Sequence, residues 1–115
     1  MDRRARAEPC SPGVVTSSSY PWNRPAVGRF ERRPCVVISP DELNDALSTF
    51  VVAPMTTGGH PCPFRVPCRF QRRAGFVVLD QVRTVDGDRL VRRLGRISSP
   101  TLKKCLEVLR ETFEE

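Results

Sequence analysis

The segment from Arg33 to Pro40 most strongly limits what this chain can fold into. Cys35 to Ile38 is an uninterrupted apolar run bounded by prolines, which predicts a buried strand. Pro34 fixes its own φ and favours an extended backbone at Arg33, so the guanidinium is presented at the start of that strand. Ser39 then has the pattern of a helix N-cap, with Pro40 after it. Two interpretations of Arg33 remain open at this point: an ordinary surface arginine, or a functional group where the strand begins.

The charge of the chain favours an anionic partner. The formal net charge is +6 over 115 residues, and arginine far outnumbers lysine. Guanidinium groups bind phosphate bidentately, so nucleic acid is the leading class of partner. The length is that of one small domain. No run approaches the ~18 apolar residues of a membrane span, and no hydrophobic segment follows the Arg-rich N-terminus, so we expect a cytoplasmic protein.

The cysteines do not predict a metal site. There are five, an odd number, and no two form a CxxC pair: Cys10, Cys35, Cys62, Cys68 and Cys105. The spacing of His60 with Cys62 and Cys68 fits no zinc pattern. We therefore expect reduced thiols, no metal and no cofactor.

Composition divides the chain at about residue 30. Residues 1–30 are rich in Arg, Pro and Ser, without helical or strand periodicity, which predicts a disordered N-terminal segment. Residues 31–115 are expected to form the folded domain. Strands are predicted at 35–38, 49–55, 64–70, 76–85 and 94–97, with a short helix at 41–47. A final helix after Ser99-Pro100 carries one apolar stripe: Leu102, Cys105, Leu106, Leu109 and Phe113. This pattern predicts a mainly β (α+β) fold, a small curled, barrel-like sheet with the C-terminal helix packed against it.

Four sequence blocks follow one another between Arg33 and the C-terminus. They are Arg-Pro-x-Val-Val-Ile-Ser-Pro, Ala-Pro-Met-Thr-Thr, Leu-Asp-Gln-Val-Arg-Thr-Val-Asp and Arg-Leu-Gly-Arg-Ile-Ser. In this order they resemble the MazF/PemK family, the toxins of type II toxin–antitoxin systems. The resemblance implies an SH3-like barrel of the MazF/CcdB type that works as a homodimer and binds a cognate antitoxin. It also implies a metal-independent, sequence-specific endoribonuclease that cuts single-stranded RNA or mRNA, leaving 2′,3′-cyclic phosphate and 5′-OH ends. DNA would be bound only through the antitoxin complex.

The resemblance also implies roles for individual residues. Arg33 matches the catalytic arginine, which suits it to stabilise the charge on phosphorus and assist the leaving group. Thr56 matches a threonine whose hydroxyl could donate to a non-bridging oxygen, and Thr57 beside it is a candidate RNA contact. Arg32, next to Arg33, is a further candidate RNA contact. Asp80, Gln81 and Arg83 match an Asp-Gln-x-Arg block that contacts RNA, although a structural network is an equal interpretation of Asp80.

The chain departs from the family pattern upstream of Arg33. The family begins with a strand and a loop that supplies a glutamate as general base, and no such strand is apparent here. Glu31 echoes the loop glutamate, but it lies only two residues before Arg33, closer than in the family. GC-rich codons for residues 14–23 would permit a family-like strand in another reading frame, so a frameshifted N-terminus is one hypothesis. A missing strand would leave its neighbour with an exposed edge and lower the stability.

Three functions therefore remain open. The first is the endoribonuclease. The second is a catalytically impaired protein that still binds antitoxin or RNA, which the atypical N-terminus favours. The third is a toxin of the gyrase-poison type on the same barrel, against which the Arg33 and Thr56 pair and the positive charge argue.

Overall fold

The structure, a computed structural model, describes residues 11–18, 33–57 and 60–113. This part of the chain forms seven strands and two helices: β1 (Val14–Ser18), β2 (Arg33–Val37), α1 (Asp41–Leu47), β3 (Thr49–Thr56), β4 (Arg65–Phe70), β5 (Arg73–Val78), β6 (Arg83–Asp86), β7 (Leu90–Arg96) and α2 (Ser99–Thr112). Two 3-10 turns, Leu79–Gln81 and Gly87–Arg89, link β5 to β6 and β6 to β7. Within the described ranges, no helix is long and apolar enough to cross a membrane.

All seven strands belong to one antiparallel sheet in the order β4-β5-β3-β2-β1-β7, with β6 also paired to β3. Strand β3 is the centre of this arrangement. Its first half, Thr49 to Val52, pairs with β6, and its end, Met55 and Thr56, pairs with β5. Its other edge pairs with β2. The sheet curls without closing, and the predicted mainly β fold with a C-terminal helix is confirmed.

The strand alternation places apolar side chains on both faces of the sheet. On one face a large core includes Val15, Val36 and Val77, and Cys105 of α2 is fully buried against it. On the other face Val37 and Val52 belong to a smaller cluster. Burial of each such side chain stabilises the fold by about 1.5–3 kcal/mol, so both clusters contribute to stability, and α2 belongs to the larger one.

The apolar stripe predicted for α2 is only partly correct. Leu102 and Leu109 pack against the core together with Cys105. Leu106 is 41% exposed and Phe113 is 75% exposed, so these two residues do not belong to the face of α2 that packs against the core.

The prediction that no strand precedes Arg33 is wrong for β1. Val14 and Val15 are fully buried, and β1 pairs with β2 on one edge and β7 on the other. The sequence did not indicate strand β1, because its Ser and Thr residues are typical of linkers. In the fold, Thr16 is 1% exposed and its hydroxyl donates to the carbonyl oxygen of Arg92 at 2.9 Å, which offsets the cost of burial.

Two consequences of the supposed missing strand also change. The expected exposed edge of β2 does not exist, since β1 covers it. The strand forms from Val14–Ser18 as the chain is read, so the fold requires no other reading frame. The frameshift remains a hypothesis that the nucleotide sequence tests. The rest of the N-terminal segment, residues 1–10 and 19–32, lies outside the described residues.

Two local predictions are corrected as well. The single strand expected at 76–85 is broken by the 3-10 turn Leu79–Gln81 into β5 and β6. Ser39 does not cap α1, whose N-cap is Pro40 without a side-chain cap. Ser39 is instead buried, and its hydroxyl accepts from the Val51 N–H at 2.9 Å and donates to the amide oxygen of Asn44. The seryl hydroxyl therefore ties the β2–α1 connection to β3.

Candidate functional site

A cleft of about 350 Å³ opens where the end of β3 meets the β4–β5 hairpin and β7. Its apolar lining consists of Pro34, Met55, Cys68, Phe70, Gly75 and Leu94. Its polar lining consists of Thr56, Thr57, Gln71 and Arg73. None of the described residues that line it carries a carboxylate, so the cleft is suited to an anionic ligand with an apolar portion.

Arg33 lies beside this cleft. Its Nη2 atom donates to the carbonyl oxygen of Met55 at 3.2 Å, and Pro34, the next residue, lines the cleft. Arg33 is therefore tied to the residue immediately before Thr56. The structure brings three of the predicted site residues together here: Arg33, Thr56 and Thr57.

The position of Thr56 depends on Gly75. A Cβ atom at Gly75 would lie 1.9 Å from the carbonyl oxygen of Thr56 and 3.0 Å from the Cα atom of Thr57. Only a glycine on β5 lets β3 come this close. A glycine inside a strand pattern is a sequence signal of close backbone approach, and it could have identified this position.

A β-bulge in β7 shapes the opposite wall of the cleft. The pairing of β1 with β7 moves from Val15↔Gly95 to Thr16↔Arg93, which leaves Leu94 as the additional residue. The carbonyl oxygen of Leu94 accepts from Nε2 of Gln71 at 3.2 Å. Bulges of this kind are frequent next to functional sites, where they redirect side chains.

Phe70, which lies on edge strand β4, contacts the other edge strand, β7, beside the cleft. A Cβ atom on Gly95 would lie 3.1 Å from Cε1 and from Cζ of Phe70, so the ring rests directly against the Gly95 backbone. Phe70 is partly buried against the large core. The strand pattern predicts this hairpin only as part of the sheet. An aromatic residue followed by Gln71, Arg72 and Arg73 is the signal that points to a nucleic-acid contact.

The other predicted RNA contacts that the structure describes lie on β6 and in the 3-10 turn before it, outside the cleft. Arg83 pairs with Val52, four residues before Thr56 and so ~13 Å away along the strand. Asp80 and Gln81 lie in the 3-10 turn between β5 and β6, and neither lines the cleft.

Asp80 forms an ion pair. Its carboxylate lies 3.3 Å from Nε of Arg65, and a second oxygen lies 3.5 Å from Nη2. Both side chains are partly exposed, so the pair is worth at most about 1 kcal/mol. Glu31 and Arg32 lie outside the described residues.

Two thiols beside the site are held in the neutral form. Burial raises the pKa of Cys105 to about 11, and proximity to Cys68 adds to this effect. Burial also raises the pKa of Cys68, which lines the cleft. Neither thiol is suited to act as a nucleophile at neutral pH. In the described ranges, no three histidine, cysteine or acidic side chains are grouped to hold a metal ion.

Comparison with known proteins identifies the class. The family described as PemK-like, MazF-like toxin of type II toxin–antitoxin system matches residues 20–113. The chain therefore belongs to this family of toxins. The match begins after β1, so it is the structure that adds this strand to the domain. No curated protein sequence matches the chain.

Solved structures of MazF proteins have the same fold. The crystal structure of MazF from Deinococcus radiodurans has a TM-score of 0.72 at 22% identity, covering 93% of this chain and 97% of that one. Toxin MazF-mt6 of Mycobacterium tuberculosis has a TM-score of 0.70 at 17% identity, covering 87% and 95%. An endoribonuclease in complex with its cognate antitoxin from a mycobacterial species has a TM-score of 0.71 at 22% identity, covering 88% and 91%.

Proposed function

We propose that this toxin is a sequence-specific endoribonuclease that cleaves single-stranded RNA or mRNA without a metal ion. The observation that carries the proposal is the placement of Arg33. Its guanidinium is tied to the Met55 carbonyl oxygen at the edge of a cleft lined by Thr56 and Thr57. A fixed cation and two hydroxyl groups are thereby gathered where a phosphodiester can bind.

The reaction is an internal transfer at phosphorus. The 2′-OH of the ribose attacks the adjacent phosphorus, a bond from O2′ to phosphorus forms, and the bond from phosphorus to O5′ breaks. A proton leaves the 2′-OH, and a proton is delivered to the 5′-oxygen. The products are a 2′,3′-cyclic phosphate and a 5′-OH.

Arg33 and Thr56 suit the charge that this step develops. Negative charge accumulates on the non-bridging oxygens as the pentacoordinate phosphorus forms. A guanidinium remains protonated at any ordinary pH, so Arg33 stabilises this charge and the leaving oxygen. The hydroxyl of Thr56 donates to a non-bridging oxygen. Removing one such donor typically costs about 10²–10³ in rate.

Glu31 is the candidate for the base that takes the proton of the 2′-OH. Among the described residues that line the cleft there is no carboxylate or imidazole, so the base is expected from the segment before Arg33. Loss of a general base typically costs about 10²–10⁴ in rate.

RNA approaches along a positively charged surface, since the chain carries a formal charge of +6. Beyond the cleft, the proposed contacts are Arg32, Asp80, Gln81 and Arg83.

The toxin acts in the cytoplasm as a homodimer and is neutralised by a cognate antitoxin. It associates with DNA only through the complex with that antitoxin. An endoribonuclease of this fold has been solved with its cognate antitoxin.

The test is incubation of purified protein with a long single-stranded RNA in EDTA. We expect discrete fragments with cyclic phosphate ends. Arg33→Ala should abolish them, whereas the matched variant Arg69→Ala removes an exposed arginine of β4 outside the cleft and should cut like the wild type. Intact RNA with the wild-type protein would contradict the proposal and favour the catalytically impaired binder.

A further inference from the structure

We propose that the cleft is a subsite for one nucleotide next to the scissile phosphate, with Phe70, Gln71 and Arg73 as its binding residues. This inference rests on the proposed function and extends it to base recognition. None of the four sequence blocks contains these residues, since they lie on the β4–β5 hairpin.

The shape and lining fit a flat, partly apolar ligand. At about 350 Å³ the cleft lies at the lower end of the ~300–1,000 Å³ range of small-molecule pockets. The Phe70 ring packs against the Gly95 backbone, and the bulge turns Leu94 towards the cleft. A rigid aromatic ring beside an aliphatic side chain is a surface on which a nucleobase stacks.

Gln71 supplies groups that can distinguish bases. Its side-chain nitrogen donates to the Leu94 carbonyl oxygen at 3.2 Å, which fixes the amide at the wall of the cleft. The amide oxygen and the second amide hydrogen remain for the edge of a base. A paired donor and acceptor reads the hydrogen-bonding edge of an unstacked base.

Arg73 supplies the phosphate contact. It is exposed at the start of β5 and lines the cleft, and its guanidinium makes no hydrogen bond or ion pair with the residues that the structure describes. A guanidinium without such partners among the described residues is available to a phosphate oxygen. Thr56 lines the same cleft, so a nucleotide held here would neighbour the reacting phosphate.

Arg72 provides a matched control. It carries the same charge, precedes Arg73 in the hairpin and is exposed, but it does not line the cleft. Arg72→Gln and Arg73→Gln therefore remove equal charge one residue apart.

Phe70 also packs against the core, so Phe70→Leu is preferred to a truncation. The thermal melt of this variant reports whether the fold is kept.

The experiment uses a random-sequence RNA library with 2′-fluoro groups, which binds without being cut through a 2′-OH. Bound sequences are selected with each variant, and the affinity of the preferred sequence is measured as the salt concentration is raised. We expect Gln71→Leu to remove base preference at one position and leave the others unchanged. We expect Arg73→Gln to reduce the slope of log K against log salt by about 0.7, the value for one single-strand phosphate, and to do so more than Arg72→Gln. Phe70→Leu should raise the Kd about tenfold.

The outcomes separate this inference from the proposed function. Identical base profiles for Gln71→Leu and wild type, with equal salt slopes for the two arginine variants, would overturn the subsite even if natural RNA is cut. The expected binding changes without cleavage of natural RNA would support the subsite and contradict the nuclease. Failure of the wild type to bind the library would overturn the subsite, while cleavage of natural RNA would still decide the proposed nuclease.

Discussion

The close approach of Gly75 to Thr56 gives a sharp prediction for Gly75→Ala. The new Cβ atom would lie 1.9 Å from the Thr56 carbonyl oxygen, whereas real Cβ atoms essentially never come within 3.0 Å of a neighbour. The two strands must therefore separate by about 1.1 Å, the difference between these distances. The atom in the way belongs to the backbone, so no side-chain rotation relieves the clash.

Two effects follow from this displacement. Forcing an additional methyl group into a packed site typically costs about 1–3 kcal/mol, which would appear as a lower urea midpoint. Movement of a reacting group by about 1 Å can cost ~10²-fold in rate. We therefore expect Gly75→Ala to remain folded at room temperature and to cut RNA about a hundredfold more slowly than wild type.

Gly87→Ala is the matched control. Its Cβ atom would lie 3.3 Å from Cε1 of Phe50 and 3.6 Å from the Ser48 carbonyl oxygen, so a small movement of the Phe50 ring accommodates it. The two variants are compared by urea unfolding and by initial cleavage rate on the same RNA. A wild-type rate for Gly75→Ala would refute the argument that this contact positions Thr56.

Three further predictions concern the site, the connection to β3 and the buried thiol. Arg33→Lys keeps the charge but loses the planar fork, so its cleavage rate should fall about 10²-fold and remain above that of Arg33→Ala. Ser39→Ala removes the acceptor of the Val51 N–H and should lower the free energy of unfolding by about 1–3 kcal/mol in urea titrations; an unchanged midpoint would contradict this. The pKa of the Cys105 thiol is raised from 9.0 to about 11, so its contribution to stability is fully present below pH 9 and is lost as the pH rises to about 11. Cys105→Ala should therefore show a flatter dependence of the urea midpoint on pH across that window, where wild type loses about 2–3 kcal/mol.

The strands and helices that bury apolar side chains at regular spacing could be predicted from the sequence. The run Cys35–Ile38 and the helix predicted after Ser99-Pro100 have strong local signals, and both elements form, although the N-cap of the helix is Ser98 and Ser99 is already its first residue. Strand β1 could not be found in this way, because three of its five residues are Ser or Thr. It is specified by pairing on both edges and by the Thr16 hydrogen bond to Arg92, which are tertiary interactions.

The candidate site could be predicted only in part for a similar reason. Arg33 and Thr56 stand in recognisable blocks, so their roles could be proposed from the sequence. The packing of β5 against Thr56 depends on Gly75, and the far wall of the cleft depends on the β7 bulge at Leu94. A glycine within a strand signals a close approach at Gly75, but which strand approaches it, and where β7 bulges, depend on how strands distant in sequence pack, and a single sequence does not reveal this.

The most direct test of the account is a single atomic change in the substrate. Once a cleavage site has been mapped on natural RNA, an oligonucleotide is made with one 2′-deoxynucleotide on the 5′ side of the scissile phosphate. Because the 2′-OH is the proposed nucleophile, the wild-type protein should bind this oligonucleotide and leave it uncut in EDTA, while the all-ribose version is cut to a cyclic phosphate. Cleavage of the deoxy-substituted oligonucleotide at the same bond would contradict the central claim.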